Sequence, residues 1–226
     1  MTHMMKMSFA IMVLSAVPVF AQAAAPPALQ KAVSVQMAVT LNAASMPEAD
    51  DSGAWVVAVT ADNKLFFGPD PVSREELANI MKSISHKLDA KLYIKADARA
   101  QFSSVRDVMD LGHQAAFAAS VFLTSQREYV APGTVAPPKG LLIAPPPGSE
   151  EGSVVLGLFA KSGAEPVTRV NNQIIPPGAL QTVLTQILQG RTDKMIILKA
   201  DGRLPFSEIA RVVDLCKSPG AQVAIP

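Results

Sequence analysis

The feature that most constrains this chain is that it writes one stretch twice. Residues 95–111 read KADARAQFSSVRDVMDL and residues 199–215 read KADGRLPFSEIARVVDL. Aligned without a gap they share nine of 17 positions, where average residue usage gives roughly one. Lys95/Lys199, Asp97/Asp201, Arg99/Arg203, Phe102/Phe206 and Asp110/Asp214 are among the identical pairs. The repeated stretch begins on the tail of an apolar run and continues into a helical pattern, so a strand, a turn and a helix are duplicated together.

The flanking sequence carries the duplication further in pattern. PVSREELANIMKSISHKL places Leu77, Ile80, Met81, Ile84 and Leu88 at helical spacing, and Ser73 followed by Glu76 forms a capping box that satisfies first-turn amides. Its counterpart PPGALQTVLTQILQG puts Leu180, Val183, Leu184, Ile187 and Leu188 on one face, with Gly190 where a left-handed terminal residue is wanted. The second helix of each copy carries Val105, Val108 and Met109, or Ile209, Val212 and Val213, with Ser103 and Ser207 expected as N-caps. KLYIKA and KMIILKA are too short for helices and read as strands, as do SVFLTS and AQVAI. WVVAVTADNKLFF, with its Asp62-Asn63 turn, and PVTRVNNQII, with Asn171-Asn172, read as hairpins, and VSVQMAVTL and VVLGLFA are further strand candidates. The fold class expected is α+β: two tandem repeats, each a small mixed β-sheet with two α-helices packed on one face.

Residues 1–23 hold Lys6, an uncharged apolar run from Met7 to Phe20 and the small-x-small stretch Ala21-Gln22-Ala23, which together read as a secretory signal peptide. The rival reading is a membrane anchor, but a spanning helix wants about 20 apolar residues, and this run is shorter and broken by Pro18. Residues 24–128 then form the first domain, 129–152 a Pro/Gly-rich linker in which Gly140 to Ala144 offers a strand for a sheet edge, and 153–226 the second domain. Removing 1–23 takes one basic residue and no acidic one from 20 Lys+Arg and 19 Asp+Glu, leaving a neutral chain. With no basic footprint, nucleic acid is excluded as a partner. The single cysteine, Cys216, sits on the apolar stripe of a helix and reads as a buried, inert thiol.

No spacing of His3, His86 and His113 makes a metal site, and no nucleophile elbow, phosphate loop or paired-cysteine motif is present, so no metal and no cofactor is expected. His86 lies off the Ile80/Ile84/Leu88 stripe and reads as a solvated helix residue; Trp55, at the start of a strand, is a candidate partner contact. Asp97 and Asp201 invite a catalytic reading as general acids or bases. An aspartate ending a strand more often holds the amides of the following turn, and the duplication explains its double appearance. Lys95 and Lys199 are expected to snorkel from a sheet face or edge. Lys95, Asp97, Lys199 and Asp201 are therefore candidate partner-binding residues. Asp110 and Asp214 are expected to face solvent or to pair with Arg106 and Arg211.

The hairpin with Asp-Asn at its turn, PVSREEL, YIKADA and VRDVMDLG, and in the second copy VNNQII, ILKADGRLPFSEIARVVDL and AQVAIP, resemble the periplasmic domain of the ExbD/TolR biopolymer-transport family. The resemblance covers about Val33 to Gln126 and Val154 to Pro226. It implies a non-enzymatic envelope role: dimerisation, contacts to a TonB- or TolA-like or an ExbB/TolQ-like protein, and in the TolR branch binding to peptidoglycan. Members carry an aspartate in an N-terminal membrane helix, whereas Met7 to Phe20 contains no Asp, Glu, His or Lys. A proton relay in a membrane needs an ionisable side chain, so only the periplasmic interaction role carries over.

The function expected is thus a periplasmic protein that binds a partner of a TonB/Tol-like transport system or the cell wall by strand addition, its two copies pairing within one chain as a pseudo-dimer or between chains as a homodimer. One alternative is an inner-membrane-anchored, diverged subunit of a proton-driven motor of ExbB–ExbD type. The other is a small envelope hydrolase using Asp97 or Asp201.

Overall fold

The computed structural model describes residues 33–126 and 136–226; the leader reading of 1–23 and residues 127–135 of the expected linker lie outside the described residues. The chain runs β1 (Ala44–Ser45), a 3-10 turn (Pro47–Asp50), β2 (Trp55–Val59), β3 (Leu65–Phe67), β4 (Asp70–Val72), α1 (Arg74–Ser83), β5 (Lys91–Ala96), α2 (Phe102–Gln114) and β6 (Ala119–Thr124). After β7 (Lys139–Ile143) the pattern recurs as β8 (Val154–Lys161), β9 (Ala164–Val170), β10 (Gln173–Ile175), α3 (Leu180–Leu188), β11 (Met195–Ala200), α4 (Phe206–Lys217) and β12 (Gln222–Ala224).

Two mixed sheets result, and the repeat is visible in their topology. The first has the order β1-β7-β6-β5-β2-β3-β4, the second β10-β9-β8-β11-β12. Read from the free edge inward, both run in the same sequence of equivalent strands, with the last three of each module parallel and the hairpin strands antiparallel. Each module carries its two helices against its sheet, confirming the α+β class. The core face alternates as period-2 strands demand: Leu92, Ile94 and Ala96 point into the helices, and Leu156 and Leu158 do the same in the second copy.

The two hairpins read from sequence turn out not to be equivalent. The turn at Asp62-Asn63 joins β2 to β3, whereas Asn171-Asn172 joins β9 to β10, the counterpart of the β3–β4 connection. Asn171 and Asn172 have φ of 47° and 69°, and Val170 pairs with Gln173, so this is a two-residue turn with both central residues left-handed, which Asn tolerates. Each copy thus has a third strand before its first helix.

The Ser73/Glu76 capping box forms, with Ser73 N donating to Glu76 Oε2 at 2.7 Å and Glu76 N to Ser73 Oγ at 3.1 Å. The helix it opens stops at Ser83, earlier than the spacing predicts, and Leu88 is 93% exposed. His86 explains the stop. It is half-buried rather than on a solvated helix face: its ring stacks on Phe117 with centroids 4.1 Å apart, Nε2 lies 2.7 Å from the Ala115 carbonyl oxygen, and continuing α1 would carry it away from both. Trp55 joins this group, 5.4 Å from Phe67 and from Phe117, and is buried.

Strand β7 stitches the copies. It pairs antiparallel with β6 and, at its start, with β1; the next residue, Ala144, bridges Ala224 at the end of β12 and donates its amide to Val223 O at 2.8 Å. One continuous hydrophobic core spans both copies.

Candidate functional site

The two repeated turns face each other, and what they build follows from an accounting of backbone amides. A helix leaves its first four N–H groups without intrahelical acceptors, and buried amides are almost always paired. Helices α2 and α4 begin at Phe102 and Phe206, one residue before the expected Ser103 and Ser207 caps, and their cap positions Gln101 and Pro205 make no side-chain cap bond. The other copy supplies the acceptors instead. Phe102 N donates to Leu204 O at 2.9 Å and Ser103 N to Gly202 O at 2.9 Å; reciprocally, Phe206 N donates to Ala100 O at 2.8 Å and Ser207 N to Ala98 O at 2.9 Å. The third amides fold back on the caps, Ser104 N to Gln101 O and Glu208 N to Pro205 O. Of the two remaining positions, Gln101 N donates to Asn63 Oδ1 at 2.8 Å and Pro205 has no N–H to satisfy.

Asp97 and Asp201 shape the turns that present these carbonyls. Asp97 Oδ1 accepts from Arg99 N at 3.0 Å and Arg99 Nε at 2.9 Å, and Oδ2 accepts from Arg99 Nη2 and Gln36 N, both at 3.1 Å. Asp201 holds Arg203 in the same way, through N at 3.0 Å, Nε at 3.0 Å and Nη2 at 2.6 Å. The guanidinium beside Asp97 holds its carboxyl at about 2 against burial, with the backbone amides helping, and Arg203 lowers the Asp201 carboxyl in the same direction. Both carboxylates are fully engaged acceptors, a poor state for a general acid or base at neutral pH.

The lysines diverge. Lys95 is 6% exposed on the sheet face away from the helices, and burial lowers its pKa against the pull of the Asp50 carboxylate. Lys199 remains exposed and pairs with Glu150 at 2.7 Å. A cleft of about 340 Å³ brings Lys199 and Asp201 together with Phe159 and, from the first copy, Arg106. Arg106 Nη2 donates to Ala200 O, its guanidinium lies 4.9 Å over the Phe102 ring, and its Nε is buried without a partner. Lys95 and Asp97 do not reach this cleft.

Asp214 is a correction to the sequence reading. It is buried, and its carboxylate accepts from Leu41 N at 3.0 Å and Asn42 N at 2.7 Å, tying the segment before β1 to the second copy. Arg211 pairs with Glu208. The seam residues missed from sequence are Ala98, Ala100, Gly202 and Leu204, which act through carbonyls. Their only sequence trace is a proline at a cap position, where a side-chain acceptor is usual. Cys216 is buried, which pushes its thiol up to about 12. Among the described residues no cluster of three or more His, Cys, Asp or Glu is placed to hold a metal.

The class this defines is an α+β protein of two repeated modules joined within one chain by a backbone seam that the duplicated motif builds. The family model for Biopolymer transport protein ExbD/TolR matches residues 9–127, more than half of the chain, and the chain belongs to that family. It is a family of transport proteins, not of enzymes, which sets the hydrolase alternative aside. The Biopolymer transport protein ExbD of Escherichia coli K12 and that of Shigella flexneri are each 30% identical to it over 74 residues, 32% of this chain and 52% of the relative. The chain therefore spans about half the length of the curated relatives it matches. No solved structure matches it. The family match ends at residue 127, and the kinship of the second copy is carried by the repeat and the shared strand order.

Proposed function

We propose that the chain is a non-enzymatic component of a TonB/Tol-like system that works on the periplasmic side of the envelope by binding another envelope protein or the cell wall. Membership of the ExbD/TolR family carries this reading. The edge strands support strand addition as the mode of contact. β4 and β10 end the two sheets, and unpaired edges accept an added strand. Pro71 takes a donor out of β4, whereas Gln173-Ile174-Ile175 keeps all of its amides, so β10 is the edge assigned to the partner. A photo-crosslinker at Ile174 in cells tests this: capture of a TonB/TolA-like or ExbB/TolQ-like protein, or of peptidoglycan, is expected, and crosslinks confined to unrelated proteins would refute it.

The two copies of one chain take the place of a pair of chains. The reciprocal amide–carbonyl exchange supports this pseudo-dimer, since it uses equivalent atoms on both sides. Sedimentation should find a monomer at micromolar concentration, and a tight dimer would refute internal pairing as the sole assembly.

One observation favours the anchored alternative for the N-terminus. The family match starts at residue 9, inside the apolar run, where relatives of this family carry their membrane helix. Among the described residues no helix is long and apolar enough to cross a membrane. Mass spectrometry of the native N-terminus decides: a chain beginning at Ala24 is periplasmic by secretion, and one retaining Met7 to Phe20 is held at the inner membrane.

A further inference from the structure

Both copies end their second helix in the same way, and each closes it with a cation of a different kind. The last turn of α2 folds back through Ala116 N to His113 O at 3.1 Å and Phe117 N to Gly112 O at 3.0 Å, with Ala116 in the left-handed region at φ 63°. After α4 the same bonds run from Gly220 N to Lys217 O at 2.9 Å and from Ala221 N to Cys216 O at 3.3 Å, with Gly220 at φ 77°. This ending leaves the carbonyl just before the left-handed residue, Ala115 O or Pro219 O, in need of a donor from elsewhere. Glycine adopts the left-handed conformation freely and alanine does not, so the first copy's turn depends more on contacts from outside it.

In the second copy Lys194 Nζ donates to Pro219 O at 3.3 Å. In the first copy Nε2 of His86 lies 2.7 Å from Ala115 O, and Nδ1 of the same ring lies 3.0 Å from Lys87 O. Both neighbours are carbonyl oxygens, which only accept. A neutral imidazole has a single N–H and sets its other lone pair against an oxygen, whereas the imidazolium donates to both. The C-terminal end of α2 and the face of Phe117, stacked on the ring with 17° between planes, favour the same charged form. The cleft of about 830 Å³ beside His86 is lined by the carboxylates of Glu48, Asp51 and Asp89, the amines of Lys87 and Lys91, and the Tyr93 phenol. Lys91 lies 3.7 Å from Glu48. A second imidazole, His113, stands in the last turn of α2 with its Nε2 buried and unpartnered.

We propose that His86 is a proton-operated latch between the α1–β5 loop and the α2–β6 turn. With both ring nitrogens protonated it ties the Lys87 and Ala115 carbonyls together and keeps Phe117 and Trp55 covered, the Trp55 ring lying 6.1 Å away edge-on. Loss of one proton frees one of the two carbonyls, and the loop loosens over the cleft. The closed latch holds one more proton than the open one, so falling pH closes it and rising pH opens it. Imidazole is the side chain whose ordinary charge change falls between about pH 5 and 8, while an ammonium of the kind used in the second copy keeps its charge there. The duplication thus sets a switchable cation and a fixed one at equivalent carbonyls. The latch requires no partner, so its failure and failure of the Ile174 crosslink are separate results.

The test titrates the full chain, labelled with nitrogen-15 at histidine, from about pH 5 to 9. Long-range proton–nitrogen spectra report the protonation of each imidazole nitrogen, with the His86 signals assigned by their loss in His86→Gln. Two protonated His86 nitrogens are expected at the acid end, with one proton lost in a single step. Emission from Trp55, the only tryptophan, should change with the same midpoint. Hydrogen-exchange protection of the Ala116, Phe117 and Ala118 amides, corrected for intrinsic rates, should fall about tenfold or more across that step. In His86→Gln, neutral throughout, the emission step should vanish and protection should no longer depend on pH. A His86 ring that keeps one proton and one tautomer over the whole range overturns the proposal, and the wild-type titration gives that answer whether or not the variant folds. An emission step that survives in His86→Gln belongs to His113 or to the carboxylates of the cleft, and overturns it as well. So does protection that stays constant while His86 titrates.

Discussion

Replacing Phe206 by alanine asks whether the two copies are one folding unit. Phe206 opens α4 of the second copy, is fully buried, and meets Phe122 of the first copy edge-on with centroids 5.1 Å apart. Truncating a buried phenylalanine costs about 3–5 kcal/mol, part of it the lost aromatic pair. The backbone bond from residue 206 to Ala100 O survives the change, so the perturbation is confined to the side chain. The single tryptophan, Trp55, lies in the first copy, buried beside Phe67 and Phe117, and so reports only on that copy. With a urea slope of about 2 kcal/mol per molar, the midpoint should fall by about 2 M. Tryptophan fluorescence and far-ultraviolet dichroism should shift together, because a shared core and four exchanged amide bonds make unfolding of either copy expose the other. A Trp55 transition that stays in place while dichroism shows an early partial step would refute the single unit.

Three further outcomes follow from individual groups. The Asp97 carboxyl is depressed to about 2 from an ordinary 3.8, so it contributes stability above about pH 4 that is lost as pH falls toward 2; Asp97→Asn should be less stable at neutral pH and flatter across that window in acid unfolding curves. Asp214→Asn weakens two charge-assisted bonds, each worth about 1.5–3 kcal/mol, and should speed hydrogen exchange at Leu41 and Asn42 more than at the strands of either sheet. Cys216, buried and with its thiol pushed up to about 12, should resist a thiol reagent at pH 8 in the native protein and react only at the rate of unfolding.

What could be read in the sequence was whatever is decided locally. The Ser73/Glu76 box is a contact three residues long, and the Asn171-Asn172 turn is set by which residues tolerate a left-handed backbone. The repeat itself made two copies of one module certain before their topology was known. Errors fell where a distant group overrides a local signal. Ile84 and Leu88 continue the α1 spacing, yet the chain leaves the helix to stack His86 on Phe117. Ser103 and Ser207 are good cap residues displaced from the cap by carbonyls 99 residues and more away in sequence, and a backbone acceptor has no residue type to betray it. Gly140 to Ala144, read as able to pair at a sheet edge, does so as β7 and its bridge to Ala224.

Covalent fusion also explains why the seam is symmetric only in its backbone. In a pair of identical chains every side chain at the interface must serve in two equivalent places. Here each position can specialise. Asp110 and Asp214 are the same residue at the same point of the repeat, but only Asp214 is buried, because only the first copy is preceded by a segment that crosses to it. Arg106 binds Ala200 O across the seam where its counterpart, Ala210, is simply packed in the core. Gln101 needs Asn63 for its amide, and Pro205 dispenses with the amide altogether. The carbonyl exchange, by contrast, is kept at all four equivalent positions, since losing one would leave a buried amide unpaired at about 1–3 kcal/mol. The backbone exchange kept in both copies holds them together, while the side chains around it differ from one copy to the other, and Phe159, Arg169 and Ile174 of the second sheet stand toward solvent.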